Sequence, residues 1–198
     1  MGIEEALGAD LREKLRDELV AANDKFVQEI PKVELHVHIE GVLTAELRWK
    51  LSQRNGTSLR MAKHGPEIKS LEAMERAMDL LRPDSSRVDN DEERFQFFET
   101  YYEGFACVKT KKDFYDLAMY YLERAAAQNV RYAEIFFDPQ GHTALGTPWH
   151  TMMEGFREAK IIAERDLNVC IIPIRLDMIN YSLSEIDKIR MDHVLSAR

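Results

Sequence analysis

Cysteine is scarce in this 198-residue sequence. Cys107 and Cys170 stand far apart and in no metal-type spacing. That excludes a disulfide scaffold and a cysteine-held metal centre, and both residues read as free thiols of a reducing compartment. Long apolar runs are missing as well. None approaches a membrane span and no apolar leader follows Met1, so a cytoplasmic location and no membrane partner are expected. The glycosylation-type triplets at Asn55 and Asn180 are then silent. Positive charge is in deficit, with 27 Lys and Arg against 35 Asp and Glu, a net charge of −8. No basic block interleaved with aromatics occurs, which argues against a nucleic-acid partner, because phosphate binding needs a basic face. There is no glycine-rich phosphate loop, no nucleophile elbow and no H-E-x-x-H motif. What remains is an ordinary globular composition, 45% apolar and 31% charged, long enough for one domain with a real core.

The most informative stretch is PKVELHVHIEG, residues 31–41. With a period of two, Val33, Leu35, Val37 and Ile39 fall on one face and Glu34, His36, His38 and Glu40 on the other. Two imidazoles on one strand face, roughly 6.6 Å apart along the chain, can converge on one ion or can be a hydrogen-bonded core pair. Both readings stand on the pattern alone. His38-Ile39-Glu40 matches half of a cytidine-deaminase signature, but its P-C-x-x-C half is absent.

The rest of the chain reads as helices between strands. Residues 3–29 carry Leu7, Leu11, Leu15 and Leu19 at helical spacing. Thr44 is placed to cap a helix that Gly56 ends. Residues 57–94 are hard to read, and RPDSSRVDNDEER within them reads as a surface loop. Thr110 and Asp113 form a capping-box pattern ahead of the stripe Phe114, Leu117, Ala118, Tyr121, Leu122 and Ala125, with Asn129 as the stop. VRYAEIFFDP is a second strand, residues 148–166 a helix, NVCIIPIRLD a third strand and 182–195 a last helix. Strands separated by helices imply parallel βα units. Each strand ends in polar residues, His38 and Glu40, Asp138, then Arg175 and Asp177, which puts the chemistry on one rim. Asp138 is there either for function or as a helix cap. His64, His142, His150 and His193 are isolated, and of these only His142 directly follows a strand end.

PKVELHVHIEG, with DFYDLAMYYLERAAAQNVRYAEIFFDPQGHT further on, resembles the adenosine/adenine deaminase family. Glu40 after the histidine pair and FFDPQ-HT after the second strand are similar to its adenine-deaminase and related fungal and bacterial branch. The likeness covers most of residues 25–180 and is poor at 57–94. It implies a (β/α) TIM-type barrel whose zinc turns water into a hydroxide that attacks C6 of a purine base or nucleoside. It further implies His36 and His38 as zinc ligands, with Glu40 and Gly41 lining the purine pocket and Asp138 and Gln140 on its rim. His142 is a possible extra ligand. The family's later motifs, H-A-G-E and S-x-D-D-P, which bring the remaining ligands and the catalytic acid, occur nowhere in these 198 residues.

The expectation is therefore an α/β fold, a partial barrel of about three parallel strands. Residues 1–30 form a helical extension and 31–198 the amino-terminal part of the barrel, with a variable insertion at about 57–110. Its expected function is zinc-dependent purine deamination. The alternatives are a non-catalytic binding or scaffold module, or a shortened barrel with divergent metal chemistry that recruits His142 or Asp138. Three parallel strands leave open edges and an uncovered face carrying Phe136, Ile172 and Ile174, so self-association or another chain over the open sheet is expected.

Overall fold

The structure, a computed structural model, describes residues 25–79 and 98–176, and before them Leu11, Lys14, Leu15, Asp17 and Glu18. Most of the expected amino-terminal helix, the loop at 82–94, Asp177, His193 and the closing helix lie outside the described residues. A short helix α1 (Lys25–Glu29) leads into strand β1 (Lys32–His38). Helices α2 (Ala45–Asn55), α3 (Leu71–Asp79) and α4 (Lys111–Ala127) come before β2 (Val130–Phe137). Helices α5 (Pro139–Ala144) and α6 (Trp149–Ile162) come before β3 (Cys170–Leu176). All three strands are parallel in the order β1-β2-β3, and the architecture is a partial (β/α) barrel.

Local signals set the helix ends. Thr44 accepts the Leu47 N–H and Gly56 closes α2 at a φ of 59°, a left-handed turn that glycine adopts without strain. Thr110 and Asp113 make the capping box of α4. Its stop, Asn129, sits at a φ of 61°. One face of β2 (Ala133, Ile135, Phe137) is buried against Phe114 and Leu117 of α4 and Met152 and Phe156 of α6. Tyr132, Glu134 and Phe136, on the other face, are only half-buried.

Strand β1 departs from the expected alternation. Glu34 pairs with Ala133 and Val37 with Ile135, so two residues of β1, Leu35 and His36, stand opposite Glu134 alone. This is a β-bulge, and His36 takes a left-handed φ of 62° within it. One extra residue reverses the faces of everything before it. Val33 therefore shares the open face with Tyr132 and is 62% exposed, and Leu35 is 59% exposed. Glu34, expected beside the histidines, instead turns to the helix layer and accepts the Tyr121 hydroxyl at 2.8 Å. Burial, with the Glu34 carboxylate second, pushes the Tyr121 phenol well up.

Two packing points carry measurable stability. Asp113 is fully buried and accepts the backbone N–H of Thr110 at 2.8 Å and of Lys109 at 3.1 Å, with Asn55 Nδ2 at 2.8 Å and Arg54 Nη1 at 2.7 Å. Burial pushes its carboxyl up, but these hydrogen bonds outweigh burial and hold it below the ordinary value of 3.8. A depressed folded-state pKa gives stability that is present above the unfolded value and lost as pH falls through the folded one. Acid unfolding of the wild type should accordingly steepen below about pH 4, and Asp113→Asn should flatten that limb. Equal slopes in urea melts from pH 2 to 6 would contradict this account. The second point is Gly141, where a Cβ would run into the ring of the buried Phe105. Gly141→Ala should destabilise by about 1–3 kcal/mol through overpacking, measured by chemical denaturation. An unchanged midpoint would mean that Phe105 yields freely.

Candidate functional site

The carboxyl ends of β1 and β2 carry two adjoining groups of side chains. The first is the histidine pair. The bulge turns His36 to the open face beside His38, their ring centroids 5.2 Å apart. Both rings stack on Phe136, at 4.4 Å for His36 and 5.7 Å for His38. Phe136 sits there because it registers with His38 across the β1–β2 ladder.

The second is a buried polar cluster just beyond the strand ends. After His38 the chain tightens into a 3₁₀ turn, Ile39–Val42, which directs Glu40 inward. Glu40 is 2% exposed and Asp138 3%. Glu40 Oε1 accepts the Asp138 backbone N–H at 2.9 Å and faces His142 Nε2 at 3.2 Å. The carboxylate accepts, so the shared proton is assigned to Nε2. The Tyr101 hydroxyl lies 2.8 Å from Asp138 Oδ2 and 3.3 Å from Glu40 Oε2, and Gln140 Nε2 donates to Asp138 Oδ1 at 3.0 Å. Burial, followed by the Glu40 carboxylate, raises the Asp138 carboxyl above its ordinary range, with the Tyr101 and Gln140 bonds acting against them. Burial and the same two carboxylates push the Tyr101 phenol strongly upward, so it stays a donor.

The sequence-predicted residues are thus brought together in part. Glu40, Asp138, Gln140 and His142 meet in one cluster, while His36 and His38 form a pair beside it. Asp138 occupies the N-cap position of α5, but its side chain makes no cap bond and turns to Tyr101 and Gln140 instead. His142 is fully buried, stacked on Phe105 at 4.5 Å and edge-on to Phe114 at 4.9 Å. Gly41 is exposed, and it borders with Glu40, Arg48, Thr100 and Tyr101 a cavity of about 700 Å³. The two histidines are not among the residues lining that cavity. Tyr101 and Phe105 were not anticipated as site residues. Their signal was the run of aromatics in FETYYEGF, which pattern alone assigns to packing.

The family resemblance implies a metal, and the donors present test it. Catalytic zinc keeps three protein ligands. His36 and His38 supply two imidazoles on one face, but among the described residues no group of three or more His, Cys, Asp or Glu side chains could hold a metal ion. His142, expected as a possible extra ligand, is turned to Glu40 within the core. The described part of the chain fits two ligand positions and brings no third.

The adenosine deaminase family model matches residues 31–192. An adenine deaminase of Rhodospirillum rubrum is 43% identical over 150 residues, 76% of this chain and 40% of that protein. An uncharacterized deaminase of Schizosaccharomyces pombe is 39% identical over 146 residues, 74% of this chain and 38% of its own length. Among solved structures, the adenine deaminase of Arthrobacter aurescens superposes with a TM-score of 0.63 at 34% identity, covering 82% of this chain and 46% of that one. A Burkholderia ambifaria amidohydrolase with bound Zn shares the fold at 24% identity and a TM-score of 0.54, over 76% of this chain and 36% of its own. The chain spans about two-fifths of the length of the curated relatives it matches. With its histidine strand, its FFDPQ strand end and a family match running through both, the chain belongs to the adenosine deaminase family.

Proposed function

We propose that this chain is the amino-terminal part of a zinc-dependent hydrolytic purine deaminase acting on adenine or a closely related purine. The observation that carries the reading is the His36–His38 pair, side by side at the carboxyl end of β1 in a chain of this family. In this reading the two imidazoles are the first two zinc ligands, and the metal, when bound, supplies an activated water for attack on the purine. Glu40, Asp138, Gln140 and Gly41 belong to the purine-binding end of the site. The names of the relatives, adenine deaminases of several bacteria, favour the free base over the nucleoside. The 198 residues carry none of the family's acid motifs, and forgoing a positioned acid typically costs a rate factor of about 10²–10⁴.

Ammonia release tests this. The 198-residue chain, given zinc and adenine, should release almost none and hold substoichiometric metal, with His38→Ala removing what is held. A longer polypeptide that includes this chain and the later family motifs should turn over adenine, and lose that activity in His38→Ala. Robust turnover by the 198 residues alone would overturn the incomplete-enzyme reading. Failure of His38→Ala to affect the longer protein would overturn the metal assignment.

The open sheet gives a further expectation. Val33 and Leu35 are exposed on β1, an edge strand among the described residues, and Phe26 at 70% exposure lies just before it in α1. Apolar side chains beside an unpaired edge favour association. Sedimentation at tens of micromolar should show dimers or larger species, and Leu35→Lys should shift them toward monomer. A monodisperse monomer would rule this out.

A further inference from the structure

Two buried polar atoms of the rim cluster have no hydrogen-bond partner, Gln140 Oε1 and His142 Nδ1. They are not equivalent. His142 is enclosed between Phe105 and Phe114, whereas Gln140, whose Oε1 is itself shielded, has the rest of its side chain half-buried on the first turn of α5 where β2 ends. In α/β sheets ligands sit outside the carboxyl ends of the strands.

The Gln140 amide is not free to turn. Its Nε2 lies 3.0 Å from Asp138 Oδ1, and a carboxylate oxygen accepts only from the NH₂ end, so the flipped amide would set two oxygens against each other. Asp138 is itself fixed on two sides: Tyr101 donates to Oδ2 at 2.8 Å and Glu40 holds its backbone N–H at 2.9 Å. Donors from Tyr101 and Gln140 therefore converge on Asp138 and leave the Gln140 carbonyl oxygen as an acceptor that nothing in the cluster satisfies. A buried acceptor left unmet is unfavourable, and a ligand that brings a donor relieves it.

The geometry points to Gln140 Oε1 as a specificity-determining acceptor for an N–H of a purine ligand, with Tyr101 the positioning residue that fixes it through Asp138. This rests on the purine-deaminase reading and adds to it the polarity of one contact. A ligand that places a bare ring nitrogen or a carbonyl oxygen opposite Oε1 is repelled. Adenine offers two kinds of N–H, on its exocyclic amine and on its imidazole edge.

The test titrates the 198-residue chain by NMR with three probes: adenine, purine (no exocyclic N–H) and 9-methyladenine (no ring N–H). The wild type should bind adenine about tenfold more tightly than one of the other two, the factor expected for one hydrogen bond. In Gln140→Leu, and in the near-isosteric Tyr101→Phe, that ratio should fall toward one while adenine still saturates. The ratio is the readout because a general loss of structure weakens all three probes alike. Should Gln140→Leu lower stability, Tyr101→Phe keeps the test decisive. A ratio unchanged in both variants overturns the inference and leaves the purine reading standing; a ratio set only by the bulk of the methyl group would give this result. Equal binding of all three probes by the wild type also overturns it, leaving Oε1 to an ordered water. No binding of any probe by the wild type overturns the purine reading and this inference with it.

Discussion

A carboxylate withdrawn from water has to be hydrogen-bonded, and the ends of β1 and β2 are organised around meeting that need for Glu40. Its Oε1 accepts the Asp138 N–H one residue past the end of β2, so a side chain makes the rung that the backbone can no longer make once β1 has turned into its 3₁₀ segment. His142 adds a second donor to the same oxygen, and Phe105 and Phe114 hold the imidazole in place. Removing one partner of such a group would leave a buried charge unmet, which costs far more than the pair contributes. The cluster therefore holds the exits of both strands, and through them the ring of His38 against Phe136.

Much of this was legible beforehand. The three strands and helices α2, α4 and α6 were expected in this order. Of these, α2 and α4 carry their own start and stop, Thr44 and Gly56 for the one, Thr110, Asp113 and Asn129 for the other; α3 and the short α5 had no such signal and were not expected. The family followed from two motifs, and both strands end where those motifs place them. What stayed hidden were contacts between distant parts of the chain. Tyr101 and Phe105 reach the strand ends from a region whose pattern had no period, and nothing local marks a tyrosine whose hydroxyl meets carboxylates 37 and 61 residues away. The donors to Glu40 were hidden for the same reason: the motif places it with the histidines, but nothing local marks the Asp138 N–H and His142 as its partners.

The two groups at the strand ends differ in kind. The polar cluster is closed, with nearly every donor and acceptor matched inside the described chain, and its rigidity comes from that matching. The histidine pair stacks on Phe136, on the sheet face that no described helix packs against. Residues at the ends of β1 and β2 thus bring to the same rim a finished support and, in the proposed reading, two of a metal's ligands. That division agrees with a chain that spans two-fifths of its relatives' length.

The bulge in β1 has a consequence for how such strands are read. A strand alternates like a wave, and one extra residue is a change of phase by half a period. Before the bulge, even positions face the helices; after it, odd positions do. The apolar series Val33, Leu35, Val37, Ile39 looks like one continuous stripe only because the phase change falls inside it. It is two half-stripes belonging to opposite faces, joined by Leu35, which is in step with neither.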